Sequence, residues 1–316
     1  MNRKAIIFGI KGYRLKKKEK YLFKREKPWG VILFSRNAKN LSQLRRLTED
    51  IKKTLNYKKC PILIDVEGGK VSRLNKIIQL SCFSQNYFAT LYRKNKKIFL
   101  IHYKIYINTI CNILKNIGVN INTVPVLDVR RKITHNVIGT RSFSNNPAIV
   151  TKLGKICINF FKENKIATVI KHIPGHGLSK YDSHYETPTI NVPRKKLINK
   201  DFKPFKACKS PFAMTAHVIY SKYDPNNVAT HSKIVINEVI RNHIKFKGLL
   251  ISDDISMRSL KKYSLEENAI RALQSGCNLV LHCNGNFKEM KKLAKVIPKI
   301  DKFTQKKTSH FNKFLG

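Results

Sequence analysis

The stretch Ile166-Ala-Thr-Val-Ile-Lys-His-Ile-Pro-Gly-His-Gly177 joins an uninterrupted apolar run to a loop that is dense in polar side chains. Its first five residues are apolar or β-branched, which is typical of a strand that is buried on both faces. A lysine and two histidines follow within the loop, and the segment Asp182-Ser-His184 comes soon after. A surface loop that is rich in histidine by chance rarely gathers so many titratable groups. The pattern therefore predicts a strand whose C-terminal end carries part of a functional site.

Seven further apolar runs of this kind recur along the chain. They are Ala5–Gly9, Val31–Phe34, Pro61–Asp65, Val119–Val126, Phe212–His217, Leu249–Asp253 and Asn278–Leu281. Apolar residues that are continuous, and do not alternate with polar ones, indicate strands of a parallel sheet with both faces covered.

Amphipathic helical patterns separate these runs, most clearly over residues 41–55, 146–161 and 265–274. Asn40 or Ser42 is available to cap the first helix, and Gly276 to end the third. Eight strands that alternate with helices predict an α/β fold consisting of a single (β/α)₈ barrel of the TIM type. A doubly wound open sheet is the alternative, although no GxGxxG motif follows the first strand. Residues 77–106 lack a clear pattern and are interpreted as a long crossover between the third strand and the third helix.

Five polar residues stand at the C-terminal ends of predicted strands: Asp65, Asp128, His172, His217 and Asp253. In a (β/α)₈ barrel this face carries the active site. Charged residues often end strands, but three aspartates at such positions are many for a chain with only 19 acidic residues. We therefore expect the active site at this face, although His217 fits a hydrogen-bonded core histidine equally well.

Adjacent carboxylates end the seventh predicted strand. Asp253 and Asp254 would point to opposite sides of a strand, so one can face the barrel mouth while the other caps the next helix. The sequence does not distinguish which residue does which. A carboxylate at such a mouth can serve as a nucleophile, a general base or a metal ligand.

The loop after the fifth predicted strand offers a proton-transfer pair or a metal site. Asp182 can orient His184 and raise its basicity, which suits proton transfer near neutral pH. The alternative is a zinc site formed by His172, His176 and His184 with Asp182. No HExxH motif or cysteine pair accompanies these residues, so we expect no metal.

A second loop motif, Asp65-Val-Glu-Gly-Gly-Lys-Val-Ser-Arg73, follows the third predicted strand. Its two glycines permit a tight turn and a close approach of a ligand. Asp65 is a short acceptor for hydroxyl groups. Arg73 and Arg141 are fork-shaped donors that suit a carbonyl or a carboxylate, although each alone is also compatible with a surface charge in a chain this basic.

The composition gives a net charge of +44, from 63 Lys and Arg against 19 Asp and Glu. Such a charge is typical of proteins that bind nucleic acid or an anionic membrane. However, the lysines are spread along the whole chain, and Lys, Asn and Ile share A/T-rich codons. We interpret the charge as a result of base composition. The seven cysteines are scattered and form no CxxC pair, which suits a reducing compartment. No apolar stretch of the sequence approaches the length of a membrane span. We therefore expect a cytoplasmic protein.

The segments together resemble the bacterial β-N-acetylglucosaminidases of glycoside hydrolase family 3, the cytoplasmic enzymes of peptidoglycan recycling. The combination of KHxPGHG, DSH and SDD is highly specific. The matching stretches keep their order from about residue 28 to 284: GVILFSRN (30–37), DVEGGKVSR (65–73), PVLDV (125–129), IGTRSF (138–143), KHIPGHG (171–177), DSH (182–184), MTAHV (214–218), GLLISDDISM (248–257) and SGCNLVLHCN (275–284).

The resemblance implies retaining exo-hydrolysis of terminal β-linked N-acetylglucosamine from muropeptides, through a covalent glycosyl-aspartate. It implies that Asp253 is the nucleophile and that His184 is the acid/base, assisted by Asp182. The sugar-binding positions that it implies are Asp65, Arg73, Arg141, Lys171 and His172. We expect one domain over residues 1–316, with a core of about 5–296 and a basic C-terminal tail. We also expect a monomer that needs no cofactor and has no specific nucleic-acid or membrane partner.

Two alternatives remain open beside this interpretation. A histidine acid/base becomes neutral when it loses its proton, so it does not repel an anionic acceptor. A phosphorylase that uses phosphate in place of water is therefore one alternative, and a basic nucleic-acid-binding protein is the other. The sequence departs from the family at Trp29 and Lys70, where glycine and arginine are usual, and at Val66, where glutamine is usual. None of these changes removes a catalytic group.

Overall fold

The computed structural model describes residues 2–181 and 186–316. Eight parallel strands form a closed barrel in which each strand bonds to the next along the chain and the last bonds to the first. They are β1 (Lys4–Gly9), β2 (Pro28–Leu33), β3 (Ile62–Ile64), β4 (Ile121–Asn122), β5 (Ala167–Ile173), β6 (Phe212–Thr215), β7 (Leu249–Asp254) and β8 (Leu279–His282). The ring closes where Ile6 and Ile7 pair with Val280 and Leu281. The predicted (β/α)₈ barrel is confirmed, and the open sheet is wrong.

Helices connect the strands and cover the outside of the barrel. The principal ones are α1 (Lys17–Glu26), α2 (Leu41–Thr54), α3 (Gln85–Lys94), α4 (Lys96–Asn116), α5 (Pro147–Glu163), α6 (Lys203–Ala207), α7 (Val235–His243, wound as a π-helix), α8 (Leu265–Ser275), α9 (Phe287–Val296) and α10 (Lys302–Phe314). A short helical segment, residues 194–201, precedes α6. The predicted caps form, because the Asn40 side chain accepts a hydrogen bond from the Gln43 N–H and Gly276 ends α8 with a φ of 113°. Each cap satisfies backbone groups that the helix end would otherwise leave unpaired.

The strands are buried almost throughout, which is why they appear in the sequence as continuous apolar runs. Every residue of β2 and β5 is buried, and only Lys4 of β1 is not. One face of each strand packs inside the barrel and the other packs under the helices, so neither face favours polar residues. Polar side chains are therefore concentrated where the strands end.

The region 77–106, which has no clear pattern in the sequence, folds as a turn followed by α3 and most of α4. The two helices share an aromatic layer in which the ring of Phe88 lies 4.5 Å from that of Tyr103 and 4.8 Å from that of Tyr106. Asn95 accepts a hydrogen bond from the Ile98 N–H and thereby begins α4 directly after α3. The predicted crossover is thus a pair of helices.

The lysine-rich segment after Val296 packs against the N-terminal end of the barrel. Trp29 is fully buried there and donates its indole N–H to Thr308 of α10, with an N–O distance of 2.8 Å. Phe311 of the same helix packs against Phe212, with 5.4 Å between ring centroids. Trp29, which departs from the family pattern, therefore anchors the C-terminal helix. Within the two described ranges, no helix is long and apolar enough to cross a membrane.

Candidate active site

A cleft of about 400 Å³ opens at the C-terminal end of the barrel, where the polar strand ends meet. It contains the predicted nucleophile and all five predicted sugar-binding residues, but not Asp128, His176 or His217. Its lining includes Asp65, Arg73, Arg141, Lys171, His172, Asp253 and Asp254. A larger, apolar cavity of about 620 Å³ lies at the opposite end of the barrel and has no carboxylate in its lining. The polar groups place the candidate active site in the smaller cleft.

Asp65 lies directly after β3 and is held by cations from two other elements. Its carboxylate accepts hydrogen bonds from Lys171 Nζ at 3.0 Å, from Arg73 at 3.3 Å and from the hydroxyl of Thr123. Burial alone would raise the pKa of Asp65, but Lys171 and Arg73 outweigh burial and hold that pKa well below its ordinary value. Asp65 is therefore an anionic acceptor that suits sugar hydroxyls.

Glu67 also lines the cleft, although the sequence did not predict it as a site residue. It is buried beside Asp65 and accepts two hydrogen bonds from Arg141, at 2.8 and 2.9 Å, in the bidentate geometry that an arginine fork favours. Lys171 Nζ lies 2.6 Å from Glu67 Oε1, which also accepts the 2.9 Å bond from Arg141. Glu67 and Asp65 thus together offset the charges of Lys171 and Arg141, which border the cleft. The sequence could have indicated Glu67 as a site residue, because it lies only two residues after Asp65 in a chain with few acidic residues.

The donors of Lys171 and Arg141 are largely committed within this network. Lys171 Nζ has three donors, and its neighbours Asp65, Glu67 and Thr123 accept one each. Arg141 uses one N–H on each of its three nitrogens, two toward Glu67 and one toward the Val137 carbonyl. A sugar hydroxyl would therefore use the remaining Arg141 N–H groups, or would displace one partner of Lys171.

Asp128 organises the histidines of the following loop. Its carboxylate lies 2.8 Å from His172 Nδ1 and accepts the backbone N–H of His176 at 2.6 Å. It is fully buried, and burial would raise its pKa, but His172 and then His176 lower that pKa overall. Asp128 therefore sets the orientation of the His172 ring, and His172 belongs to the lining of the cleft.

The two adjacent aspartates have different surroundings. Asp254 accepts hydrogen bonds from the N–H and the hydroxyl of Ser256, at 3.1 and 2.8 Å, and from the Cys283 N–H at 3.1 Å. Asp254 thus closes the turn after β7. The sequence had offered a different role for one of the two aspartates, namely capping the next helix. Asp253 accepts the Asp254 N–H at 2.8 Å and also borders the cleft. Both carboxylates therefore border the cleft, the bonds of Asp254 hold the turn after β7, and the assignment of Asp253 as the nucleophile stays a prediction.

His217 fits the core alternative better than a site role. It is buried, lies 2.7 Å from the Thr230 hydroxyl and 3.0 Å from the Asp254 carbonyl, and is not part of the cleft lining. Burial lowers its pKa, so it stays neutral. His217 therefore supports the turn that carries Asp254.

Asp182 and His184, the predicted acid/base pair, lie outside the described residues. The zinc site predicted as an alternative would need both of them. Among residues 2–181 and 186–316, no three His, Cys, Asp or Glu side chains are grouped as metal ligands would be. The roles of Asp182 and His184 therefore stay predictions.

Stability is expected to fall as the pH drops from about 6.5 to 3. Burial lowers the pKa of His176 to about 4 and that of His231 to about 3. In the unfolded chain a histidine has a pKa of about 6.5, so the unfolded state takes up protons at a higher pH than the folded state. Acidification therefore favours the unfolded state. The lowered pKa values of Asp65 and Glu67 act in the same direction below about pH 4. Asp201, whose pKa burial raises to about 6, opposes them. Urea midpoints measured from pH 7 to 3 test this, and equal midpoints would contradict it.

Comparison with known proteins identifies the family. Residues 5–310 match the model of the glycosyl hydrolase family 3 N terminal domain. The beta-hexosaminidase of Hydrogenovibrio crunogenus is 35% identical over 260 residues, which cover 81% of this chain and 71% of that protein. The beta-hexosaminidase of Alkalilimnicola ehrlichii is 34% identical over 286 residues, covering 88% and 80% of the two chains.

Solved structures agree with the sequence relatives. Native NagZ from Neisseria gonorrhoeae superposes with a TM-score of 0.89 at 28% identity, covering 98% of this chain and 90% of that one. NagZ from the same organism in complex with N-trifluoroacetyl-D-glucosamine gives a TM-score of 0.87 at 27% identity, with the same coverage. The resemblance drawn from the motifs is confirmed: the chain belongs to glycosyl hydrolase family 3 and is a glycoside hydrolase.

Proposed function

We propose that this glycoside hydrolase removes terminal, non-reducing β-linked N-acetylglucosamine from sugar chains with retention of configuration. The observation that carries the proposal is the cleft whose lining combines Asp253 with Asp65 and Glu67. Anionic acceptors and fork-shaped donors on one wall suit the hydroxyl groups of a hexose. The relatives named beta-hexosaminidase and the NagZ complex with an N-acylated glucosamine support the choice of sugar.

In the proposed first step, a carboxylate oxygen of Asp253 attacks the anomeric carbon as the bond to the leaving oxygen breaks. His184 donates the proton that the leaving oxygen takes up, and Asp182 stabilises the protonated imidazole. In the second step, water gives a proton to His184 and attacks the anomeric carbon, which releases Asp253. The charge of Asp253 also stabilises the oxocarbenium-like transition state.

The remaining site residues are proposed to position the sugar. Asp65 would accept hydrogen bonds from ring hydroxyls, with Arg73 and Lys171 beside it as donors. Arg141 would donate through its two remaining N–H groups. His172, fixed by Asp128, would present Nε2 to the sugar. Because these contacts enclose one sugar, they favour removal of a terminal residue.

We also propose muropeptides, in which the aglycone is an anhydromuramyl peptide, as the natural substrates in cell-wall recycling. Lys70 is exposed at the cleft and would meet the carboxylates of such a peptide. The seven cysteines are all free thiols, and five of them are buried, which suits the reducing cytoplasm. A muropeptide should therefore have a higher kcat/KM than a chitin disaccharide, which is neutral.

The mechanism is tested by trapping the covalent intermediate. A 5-fluoro derivative of N-acetyl-β-glucosaminyl fluoride slows both steps, but its good leaving group lets the first one proceed. Mass spectrometry of the digested protein is expected to find the sugar on the peptide that contains Asp253. A sugar on another residue would refute the assignment of Asp253. Retained turnover without any adduct would refute the covalent mechanism.

The phosphorylase alternative is tested in the same assay. Release of chromophore from an aryl N-acetyl-β-D-glucosaminide is measured in phosphate and in sulfate at equal ionic strength. A hydrolase gives free N-acetylglucosamine at the same rate in both. Formation of the sugar 1-phosphate, with a rate that rises with phosphate, would identify a phosphorylase.

A further inference from the structure

A cluster of exposed apolar side chains covers the outer surface of α3 and α4. Thirteen large apolar or aromatic side chains are exposed in the described part of the chain, and six of them lie between residues 83 and 105. They are Phe83, Tyr87, Ile98, Leu100, Ile101 and Ile105. We refer to these six as the α3–α4 patch. Exposed apolar side chains that are scattered singly are ordinary, but a contiguous group marks an interaction surface.

The patch is built on a second apolar stripe of α4. Phe99, Tyr103 and Ile107 face the core and are buried. Ile98, Ile101 and Ile105 are spaced three and four residues apart, so they share the opposite side of the helix. Ile101 and Ile105 are 59% and 60% exposed, and Ile105 borders a groove that also contains Phe83 and Tyr87. The helix is therefore apolar both toward the core and toward solvent.

The segment that carries the patch is basic, as the chain is throughout. The sixty residues from 68 to 127 contain nine Lys and Arg and no Asp or Glu. Lys94, Lys96 and Lys97 are exposed at the junction of α3 and α4, immediately before Ile98. Lys104 is also exposed and lies 3.7 Å from Glu163, the acid that approaches this surface from α5. An apolar stripe beside a cluster of lysines is the pattern of a helix that lies in a membrane interface.

We propose that the α3–α4 patch docks this protein onto bilayer surfaces rich in anionic phospholipid. Ile98, Ile101 and Ile105 would enter the boundary between headgroups and acyl chains, and the lysines would contact the phosphates. A second copy of the chain fits less well, because two molecules of charge +44 repel each other. The proposal revises the expectation from sequence that the chain has no membrane partner.

The proposal is tested by flotation with vesicles of phosphatidylglycerol and phosphatidylcholine in equal amounts. Any protein of this charge binds anionic vesicles at low salt, so binding is also measured in about 0.5 M salt, where the Debye length is roughly 4 Å. The double variant Ile101→Asn/Ile105→Asn is expected to bind at least about tenfold more weakly than the wild type there. Both positions are exposed, and thermal unfolding checks that the variant folds.

The control is Ile234→Asn/Val296→Asn, which changes two exposed apolar residues outside the patch, 42% and 39% exposed. It should bind vesicles as the wild type does. Equal binding by wild type and both double variants at high salt would overturn the proposal. A dimer that forms in a concentration-dependent way and is lost only in Ile101→Asn/Ile105→Asn would also overturn the proposal. The patch would then contact a second copy of the chain.

Insertion itself is measured with Ile101→Trp. The native Trp29 is fully buried, so a change in fluorescence on adding vesicles reports position 101. A blue shift and quenching by brominated phospholipid are expected, and neither is expected for Ile234→Trp. A tryptophan at 101 that stays in water while the protein is bound would show that charge alone drives binding, and would overturn the proposal.

Discussion

Replacing Asp253 by asparagine is expected to lower kcat for an aryl N-acetyl-β-D-glucosaminide by at least about 10⁴-fold. The amide cannot form the glycosyl ester, and it removes the negative charge beside the anomeric carbon. Asp253 is partly exposed in the cleft, so the protein should fold normally. In the variant Asp253→Ala, azide should restore turnover and yield an α-glycosyl azide, because it enters from the face that the carboxylate has left.

The adjacent residue provides the control for this experiment. Asp254→Asn retains one acceptor, but it loses part of the bonding to Ser256 and Cys283 that closes the turn after β7. We expect the free energy of unfolding to fall, and kcat to stay within about tenfold of the wild type. If Asp254→Asn were inactive while Asp253→Asn retained full turnover, the two assignments would have to be exchanged.

Replacing Glu67 by glutamine is expected to destabilise the fold by about 3–5 kcal/mol. Glu67 is fully buried between Arg141 and Lys171, and without its charge Lys171 would keep Asp65 as a partner while Arg141 would lose the carboxylate to which it donates two hydrogen bonds. Breaking a buried ion pair from one side is costly because the remaining charge has lost both water and its partner. Urea unfolding at pH 7 measures the change in the free energy of unfolding.

Glu49→Gln is the matched control, since it removes the same charge from an ion pair that is exposed. Glu49 and Arg45 form an i,i+4 pair on α2 with side chains 59% and 63% exposed. Such pairs contribute less than about 1 kcal/mol. Equal, small effects of the two substitutions would mean that Glu67 does not hold the network together.

Much of this architecture was predictable because burial imposes a simple pattern on the sequence. Strands covered on both faces must be largely apolar, so most of the barrel strands appeared as continuous runs, although Asn120, Asn122 and Thr123 interrupt the run that contains β4. Parallel strands in a closed barrel end at one rim, so residues that follow different strands converge. Asp65, His172 and Asp253 could therefore be predicted as neighbours although they are far apart in sequence.

The features that were not predicted depend on pairings between distant residues. Glu67 and Arg141 are 74 positions apart, and nothing local indicates that their side chains meet. The distinction between Asp253 and Asp254 depends on Ser256 and on the Cys283 N–H, which only the folded chain brings close. The helices of residues 85–116 were obscured because α4 is apolar on two opposite sides, which removes the usual periodicity.

The closure of the barrel between β1 and β8 has a consequence during synthesis on the ribosome. β1 pairs with β8, and the Ala5 N–H donates to the Pro298 carbonyl, so the first strand needs partners from the last fifth of the chain. At about 5–20 residues per second, these partners emerge roughly 15–60 s after β1. Throughout that interval one edge of β1 offers unpaired backbone groups to other chains. Nascent copies of this protein are thus expected to depend on chaperones until β8 and Pro298 have been synthesised.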